Sequence, residues 1–184
     1  MTITLYHGGH TRIEAPGSRG LFVTADRRVA ESHGPVVSEF EVSESDLLTH
    51  YKLNYEIEDM DTIRDVLERE LPAGADIDCA WEIVIASAGC DGAEDDPELF
   101  GVADAAEAGW EAQRIRGRVA LALGYRAVEM RDEHGTSWLL VRTGLETITV
   151  RTPDGQRHTV RRSNTPGFDV LEHVVNWLRD EERR

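Results

Sequence analysis

The feature that most constrains this fold is a change of hydrophobic period along the chain. Between residues 57 and 123, apolar residues recur at steps of three and four, which is the spacing of amphipathic helices. Before and after this region, short apolar or alternating segments are bounded by Gly, Pro and Asp, which is typical of strands and hairpins. Helices and strands are grouped and do not strictly alternate, so the sequence predicts an α+β fold. A chain of 184 residues is long enough for a single domain, residues 1–184.

Three apolar series predict the helices of the middle region. The first consists of Ile57, Met60, Ile63, Leu67 and Leu71. The second consists of Ile77, Ala80, Trp81, Val84, Ile85 and Ala88. The third, within residues 102–123, consists of Ala108, Ala112, Ile115, Val119 and Ala122. Pro72 is expected to end the first helix, Asp76 to cap the start of the second, and Gly124 to end the third.

The flanking strands are predicted from shorter patterns. Strands are expected at residues 3–6, 20–24 and 36–42, with a brief helix over residues 25–32 and with Val37, Phe40 and Val42 buried. Two hairpins follow the helical region: residues 126–130 and 136–142 around a loop at 131–135, and residues 147–150 and 157–160 around a Pro-Asp-Gly turn. A last helix is predicted from Leu171, Val174, Val175 and Leu178.

Charge and cysteine content narrow the function classes. The chain has 20 Lys and Arg against 35 Asp and Glu, a net charge of −15, which disfavours direct nucleic-acid binding. The acidic residues form either a solvated surface, or a face that docks on a basic partner or mimics DNA. No apolar run is long enough to span a membrane and no signal peptide is recognisable, so we expect a cytoplasmic protein in a bacterial host.

Metal and dinucleotide-fold sites find no support in the sequence. Cys79 and Cys90 form neither a CxxC pair nor a cluster of zinc spacing, and no His-x-x-x-His pair with a third ligand is present. The apolar helical pattern around Cys79 predicts a buried, inert thiol. The chain also lacks Gly-x-Gly-x-x-Gly after a strand, the signature of a Rossmann cofactor site.

Several motifs in order resemble the ADP-ribosyltransferase superfamily. They are His-Gly at residues 7–8, Gly-Leu-Phe-Val-Thr at 20–24 with a short helix after it, and a helix that runs into Leu-Gly-Tyr-Arg-Ala-Val at 123–128. Residues 43–48 and the long stretch 104–136 resemble, more narrowly, the anti-CRISPR ADP-ribosyltransferases that inactivate the type I-F Cascade complex. The similarity covers residues 3–141. It implies a split, mainly antiparallel sheet around an NAD cleft, a helical insert over residues 55–123, and an unmatched addition at 145–184.

The resemblance implies NAD⁺ as co-substrate and assigns residues to it. His7 matches a first-strand His that hydrogen-bonds a ribose hydroxyl, and Gly8 would let the backbone approach the nicotinamide carboxamide. Phe22 matches an aromatic that packs on nicotinamide, while Thr24 and His33 are further candidates. His33 lies near a position where the family commonly has Tyr. A His with only a structural hydrogen bond and a Phe in the core are the alternatives for His7 and Phe22.

The catalytic prediction concerns two adjacent carboxylates. Cleavage between nicotinamide and ribose passes through an oxocarbenium-like transition state, which a nearby carboxylate stabilises. The resemblance indicates Asp132 for this role, with Glu133 as the adjacent alternative. An Asp that only shapes its turn is the competing interpretation. Toxin-type members carry a Glu on the strand that here holds residues 137–140, and this chain has none there.

The implied activity is mono-ADP-ribosylation of a protein, a subunit of a type I CRISPR Cascade complex, by a bacterial or phage protein that needs no metal. Two other functions are compatible with the sequence. One is an acidic, non-enzymatic blocker that mimics DNA. The other is an ADP-ribosylating or NAD-degrading toxin of a toxin–antitoxin pair.

Overall fold

The structure is a computed structural model that describes residues 1–10, 20–141, 147–151 and 157–161, the last two stretches as backbone only. The chain divides into two units. The first contains Met1–Glu44 and the strands after residue 142, and the second is Ser45–Val141. Each unit has its own sheet strands and helices, so the α+β class is confirmed for the described residues. The turn of the last hairpin and the helix predicted around residues 171–178 lie outside them.

The first unit is built on two long antiparallel strands. β1 (Thr2–Gly9) pairs over its whole length with β3 (Val36–Ser43), and the sheet continues through β7 (Thr147–Arg151) and β8 (Arg157–Arg161). Val37, Phe40 and Val42 are buried, as their alternation predicts. β1 is longer than the sequence indicates, because Gly8 and Gly9 remain paired with β3.

A short strand and a short helix lie beside β1. β2 (Leu21–Val23) is followed by Thr24, whose backbone exchanges hydrogen bonds of 2.7 and 2.8 Å with Tyr6. α1 (Arg27–His33) begins where Asp26 accepts a hydrogen bond from the Arg28 amide, and ends at Gly34. Both elements were predicted from the sequence.

The second unit confirms that the middle of the chain is helical. Its helices are α2 (His50–Tyr55), α3 (Met60–Glu70), α4 (Ile77–Trp81), which continues as a π-helical turn (Glu82–Ala86), and α5 (Ala105–Ala122), with 3₁₀ turns at Ala93–Asp95 and Pro97–Phe100. Asp76 caps α4 by accepting from the amides of Asp78 and Cys79, as predicted. Gly124 follows α5 with a φ of 86°, the left-handed conformation expected at this position.

Some positions predicted to be buried are not. α3 begins only at Met60, so Ile57 precedes the helix and Met60 lies exposed in its first turn. Ala122 is exposed at the end of α5, whereas Ala108, Ala112, Ile115 and Val119 are buried. In both helices, the apolar period in the sequence extends beyond the residues that neighbouring elements cover.

The prediction for Cys79 is wrong: this thiol is exposed, and Cys90 is the buried one. α4 is short and passes into a π-helical turn, which is wider than an α-helical turn and changes which residues share a face. Burial therefore falls on Ala80 and on Ile83–Ile85 instead of on Cys79.

Three strands of the second unit form an ordered sheet segment. β5 (Ala127–Asp132) lies between β4 (Leu47–Leu48), which is parallel to it, and β6 (Gly135–Leu140), which is antiparallel. α5 packs so closely on β6 that a Cβ added to Gly117 would lie 2.8 Å from the Leu139 side chain. Among the described residues, no helix is long and apolar enough to cross a membrane.

Candidate active site

His7 is held by a hydrogen bond that sequence reasoning could not locate. Its Nδ1 lies 2.7 Å from the backbone carbonyl oxygen of Phe22 on β2. A carbonyl oxygen can only accept, so Nδ1 carries the proton and donates. In the neutral ring, Nε2 is then an acceptor.

The electrostatic surroundings keep His7 neutral. Burial lowers the pKa of His7 below its ordinary value, the hydrogen bond to the Phe22 carbonyl acts in the opposite direction, and His33 lowers it further. At neutral pH the ring therefore offers a fixed tautomer: a donor that is already used and an acceptor on the other nitrogen.

Phe22 is not a core residue. Leu21 and Val23 on either side of it are buried, and the alternation of a strand points the Phe22 ring to the opposite face, where it is half-buried. A contact of this ring with nicotinamide stays a prediction. The hydrogen bond from His7 Nδ1 to the backbone carbonyl of Phe22 brings these two residues together.

Gly8 and Thr24 both shape the backbone of the first unit. A Cβ on Gly8 would lie 1.6 Å from the carbonyl oxygen of Ala30, so α1 can pack on β1 only where this residue has no side chain. The Thr24 hydroxyl oxygen accepts a hydrogen bond of 3.1 Å from the Asp26 amide at the start of α1. Both residues thus fix the backbone around His7 and Phe22.

His33 ends α1 as an exposed residue in its last turn. It interacts electrostatically with His7, since it contributes to the lowered pKa of that ring. The five residues predicted to bind the co-substrate all lie in the first unit.

Asp132 belongs to the second unit and has a defined place at a turn. It is the last residue of β5 and pairs with Gly135, so the loop is only Glu133 and His134, shorter than the sequence indicates. One Asp132 oxygen, Oδ1, accepts a hydrogen bond of 2.8 Å from the His134 amide. Asp at the first position and Gly at the fourth are typical of a type I turn.

The Asp132 carboxylate retains accepting capacity. Its residue is exposed, and within the part of the chain that the structure describes, its second oxygen Oδ2 has no hydrogen-bond partner. Glu133 is exposed on the turn, with its carboxylate 3.5 Å from the His134 ring nitrogen Nε2. The turn-shaping role expected as an alternative for Asp132 is thus present, and it leaves one oxygen available.

A buried arginine that the sequence analysis missed anchors the strand that carries Asp132. The Arg116 guanidinium, on α5, donates from Nη1 to the carbonyls of Val84 (2.6 Å), Ile85 (3.0 Å) and Ser87 (3.1 Å), and from Nε to that of Glu129 on β5 (3.2 Å). The sequence signal was present, because Arg116 lies four residues after Ala112 on the apolar face of α5. Within the described part of the chain, Arg116 forms no ion pair with a carboxylate, and its Nη2 lies 3.3 Å from Nδ1 of His50.

A second contact ties the same strand to the helical part of the unit. The Arg131 amide donates a hydrogen bond of 3.0 Å to the Ala88 carbonyl. The residues before and after Met130 are therefore both fixed from the helical side. Within the described ranges, no group of three or more His, Cys, Asp or Glu side chains could hold a metal ion.

Comparisons with known proteins identify the family of this chain. Residues 3–148 match the family described as anti-CRISPR type I-F ADP-ribosyltransferase AcrIF11. A solved structure described as the crystal structure of an anti-CRISPR protein has 34% sequence identity to this chain and a TM-score of 0.58, and the match covers 82% of this chain and 94% of the other. Curated protein sequences give no match. Since the matched residues span most of its length, the chain belongs to the AcrIF11 family of anti-CRISPR type I-F ADP-ribosyltransferases.

Proposed function

We propose that this protein transfers a single ADP-ribose from NAD⁺ to a protein subunit of a type I-F CRISPR surveillance complex, the Cascade complex. The observation that carries the proposal is the fixed tautomer of His7, held by the backbone carbonyl of the half-buried Phe22, in a chain that belongs to an ADP-ribosyltransferase family. Such a protein acts in the cytoplasm of the bacterial host.

His7 is suited to orient the ribose. Its Nδ1 proton is committed to the Phe22 carbonyl, so Nε2 accepts a hydrogen bond from a ribose hydroxyl. A protonated ring would lose this acceptor, and burial opposes protonation by lowering the pKa of His7. The neutral His7 ring can therefore orient the ribose without adding a positive charge to the site.

Phe22 provides the apolar surface for nicotinamide. A half-buried aromatic ring can stack on a flat heteroaromatic ring without first being unpacked from a core. We assign Gly8 and Thr24 to shaping the backbone around these two residues, and His33 to a secondary contact with the nucleotide.

Asp132 supplies the carboxylate for the chemical step. As the bond between the ribose C1′ and the nicotinamide nitrogen breaks, its electron pair leaves with nicotinamide and positive charge develops on the ribose. A carboxylate next to that charge stabilises the transition state. The acceptor group of the target then bonds to C1′ and gives its proton to the carboxylate. The turn hydrogen bond to the His134 amide holds Oδ1 in place and leaves Oδ2 available.

The decisive experiment is single-turnover transfer from labelled NAD⁺ to the purified type I-F Cascade complex. Asp132→Asn should slow transfer by roughly a hundredfold or more and leave NAD⁺ affinity nearly unchanged, because Asn keeps the size and removes the charge. Glu133→Gln is the matched control and should transfer at the wild-type rate. If Glu133→Gln is inactive and Asp132→Asn active, the catalytic role passes to Glu133.

The net charge of −15 favours one competing function, a stoichiometric blocker that mimics DNA. A titration of the Cascade complex with and without NAD⁺ separates the two. An enzyme inactivates a molar excess of its target only when NAD⁺ is present. A DNA mimic inhibits one to one, independently of NAD⁺, and is strongly weakened by salt.

A further inference from the structure

An exposed aromatic patch lies on the second unit. The exposed large hydrophobic side chains among the described residues are Met1, Tyr51, Tyr55, Met60, Trp110 and Leu121. Half of these fall between residues 51 and 60, with exposed fractions of 63% for Tyr51, 74% for Tyr55 and 43% for Met60. We call Tyr51, Tyr55 and Met60 the tyrosine patch. Scattered exposed apolar residues need no explanation, but such a concentration in one short segment does.

The fold does not require these two tyrosines to be where they are. α2 is anchored from its other side, where Leu53 is fully buried and Asn54 donates a hydrogen bond of 3.2 Å to the Ile85 carbonyl. Tyr51 and Tyr55 are one helical turn apart, and their ring centroids lie 5.1 Å from each other at an interplanar angle of 41°. The pair is thus pre-arranged on a rigid element and faces solvent.

The charged residues that neighbour the patch along the chain are mostly acidic. The exposed acidic residues that follow directly along the chain are Glu56, Glu58, Asp59 and Asp61. The one cation between residues 50 and 61 is Lys52, whose ammonium lies 4.7 Å from the centroid of the Tyr125 ring. A surface that combines exposed tyrosines with uncompensated carboxylates is complementary to arginine, which stacks on aromatic rings and pairs with carboxylates.

We propose that the tyrosine patch and its acidic border, formed by Glu56, Glu58, Asp59 and Asp61, dock an arginine-rich face of the protein that this chain modifies. This inference rests on the proposed function. Tyrosine is enriched among the residues that dominate interface energetics, and negative charge steers a basic partner towards the patch. Nucleic acid is disfavoured as the occupant by like charge, and so is a second copy of this chain, which carries −15 itself.

The test is direct binding of the full-length protein to immobilised, purified type I-F Cascade complex. The double variant Tyr51→Gln with Tyr55→Gln keeps helix-forming residues at exposed positions, so the fold is retained, and its Kd should rise about tenfold or more. Leu121→Gln, which removes an exposed apolar side chain from α5, is the matched control and should bind as wild type does.

The charge contribution has its own pair of variants. Glu56→Gln with Glu58→Gln should slow association and reduce its dependence on salt, because exposed charges act mainly on the on-rate. Asp95→Asn with Glu98→Gln removes the same charge from the 3₁₀ turns and should have a smaller effect. If the two pairs behave alike, only net charge matters and the acidic border is not part of a docking surface.

The outcomes distinguish this inference from the proposed function. NAD⁺ affinity, measured by calorimetry, should be the same for the tyrosine variant and the wild type. Tyrosine-dependent binding to Cascade by a protein that does not bind NAD⁺ would preserve the docking surface and refute the transferase. Unchanged Kd in the tyrosine variant, no binding of the wild type at micromolar concentrations, or conversion of a dimer to a monomer by the variant would each overturn the docking surface.

Discussion

Arg116→Met should destabilise the second unit severely, and the structure gives the reason. The guanidinium satisfies the carbonyls of Val84, Ser87 and Glu129, and shares that of Ile85 with Asn54. Met fills a similar volume but donates nothing. The carbonyl oxygens of Ile85 and Ser87 keep the Asn54 side chain and the Cys90 amide as donors, whereas those of Val84 and Glu129 lose the guanidinium. Each costs about 1–3 kcal/mol when left unsatisfied.

The net magnitude is smaller than this sum, because removing a buried cation also removes its desolvation penalty. We expect a loss of about 2–4 kcal/mol in the free energy of unfolding, because two carbonyls lose their donor at about 1–3 kcal/mol each and the relief of the desolvation penalty offsets part of this. A domain is stable by only about 5–15 kcal/mol, so the variant will be marginal. With a denaturant slope of about 2 kcal/mol per molar urea, the midpoint should fall by roughly 1–2 M.

The assay is urea unfolding followed by far-ultraviolet circular dichroism, with two comparison variants. Arg64→Met removes an arginine whose ion pair with Asp78 is exposed, and should cost less than about 0.5 kcal/mol. Arg116→Lys keeps the charge without the planar guanidinium, and its midpoint should still fall by most of the shift expected for Arg116→Met. If Arg116→Met shifts the midpoint no more than Arg64→Met does, the carbonyls do not depend on Arg116 and the reasoning is refuted.

Three further predictions concern other parts of the fold. Gly8→Ala should cost about 3 kcal/mol or more, because its Cβ would overlap a carbonyl oxygen of α1 at 1.6 Å, and an unchanged thermal midpoint would contradict this packing. Burial and the neighbouring guanidinium lower the pKa of His50. The neutral His50 ring therefore stabilises the fold above the unfolded pKa of about 6.5, and this stabilisation is lost as the pH falls through the folded pKa. In His50→Asn, the unfolding midpoint should therefore change less between pH 7 and pH 5 than it does in the wild type. Burial raises the pKa of the Cys90 thiol to about 12, so a thiol reagent should label only Cys79 in the native protein, as mass spectrometry can verify.

Local signals in the sequence were sufficient for most helix ends. Asp76, Pro72 and Gly124 act through their own backbone neighbours, so their positions could be read without knowing the fold. α2 could not be predicted in this way. It has a single fully buried side chain, Leu53, so no apolar period exists, and contacts distant in sequence stabilise it instead.

The chemistry of the site was predictable by residue type but not by contact. The motif that contains His7 could be recognised, whereas the hydrogen bond that fixes its tautomer joins residues 15 positions apart across two strands. The same limit explains why Arg116 was missed. A charged residue on an apolar helix face is informative only when the carbonyl groups opposite it are known, and here they come from a π-helical turn and a strand that no periodicity connects.

The geometry of Asp132 places a condition on the proposed reaction. An exposed carboxylate in water stabilises a nearby positive charge by only about 1 kcal/mol at 4 Å, far less than a hundredfold rate effect requires. The backbone of β5 is held by the contacts of Glu129 and Arg131, and Oδ1 by the His134 amide, so the carboxylate is already oriented in the free protein. What it lacks is exclusion of water, which substrates must provide when they cover it. Single-turnover transfer measures this gain, because Asp132→Asn should then impair transfer to the target far more than it impairs NAD⁺ binding.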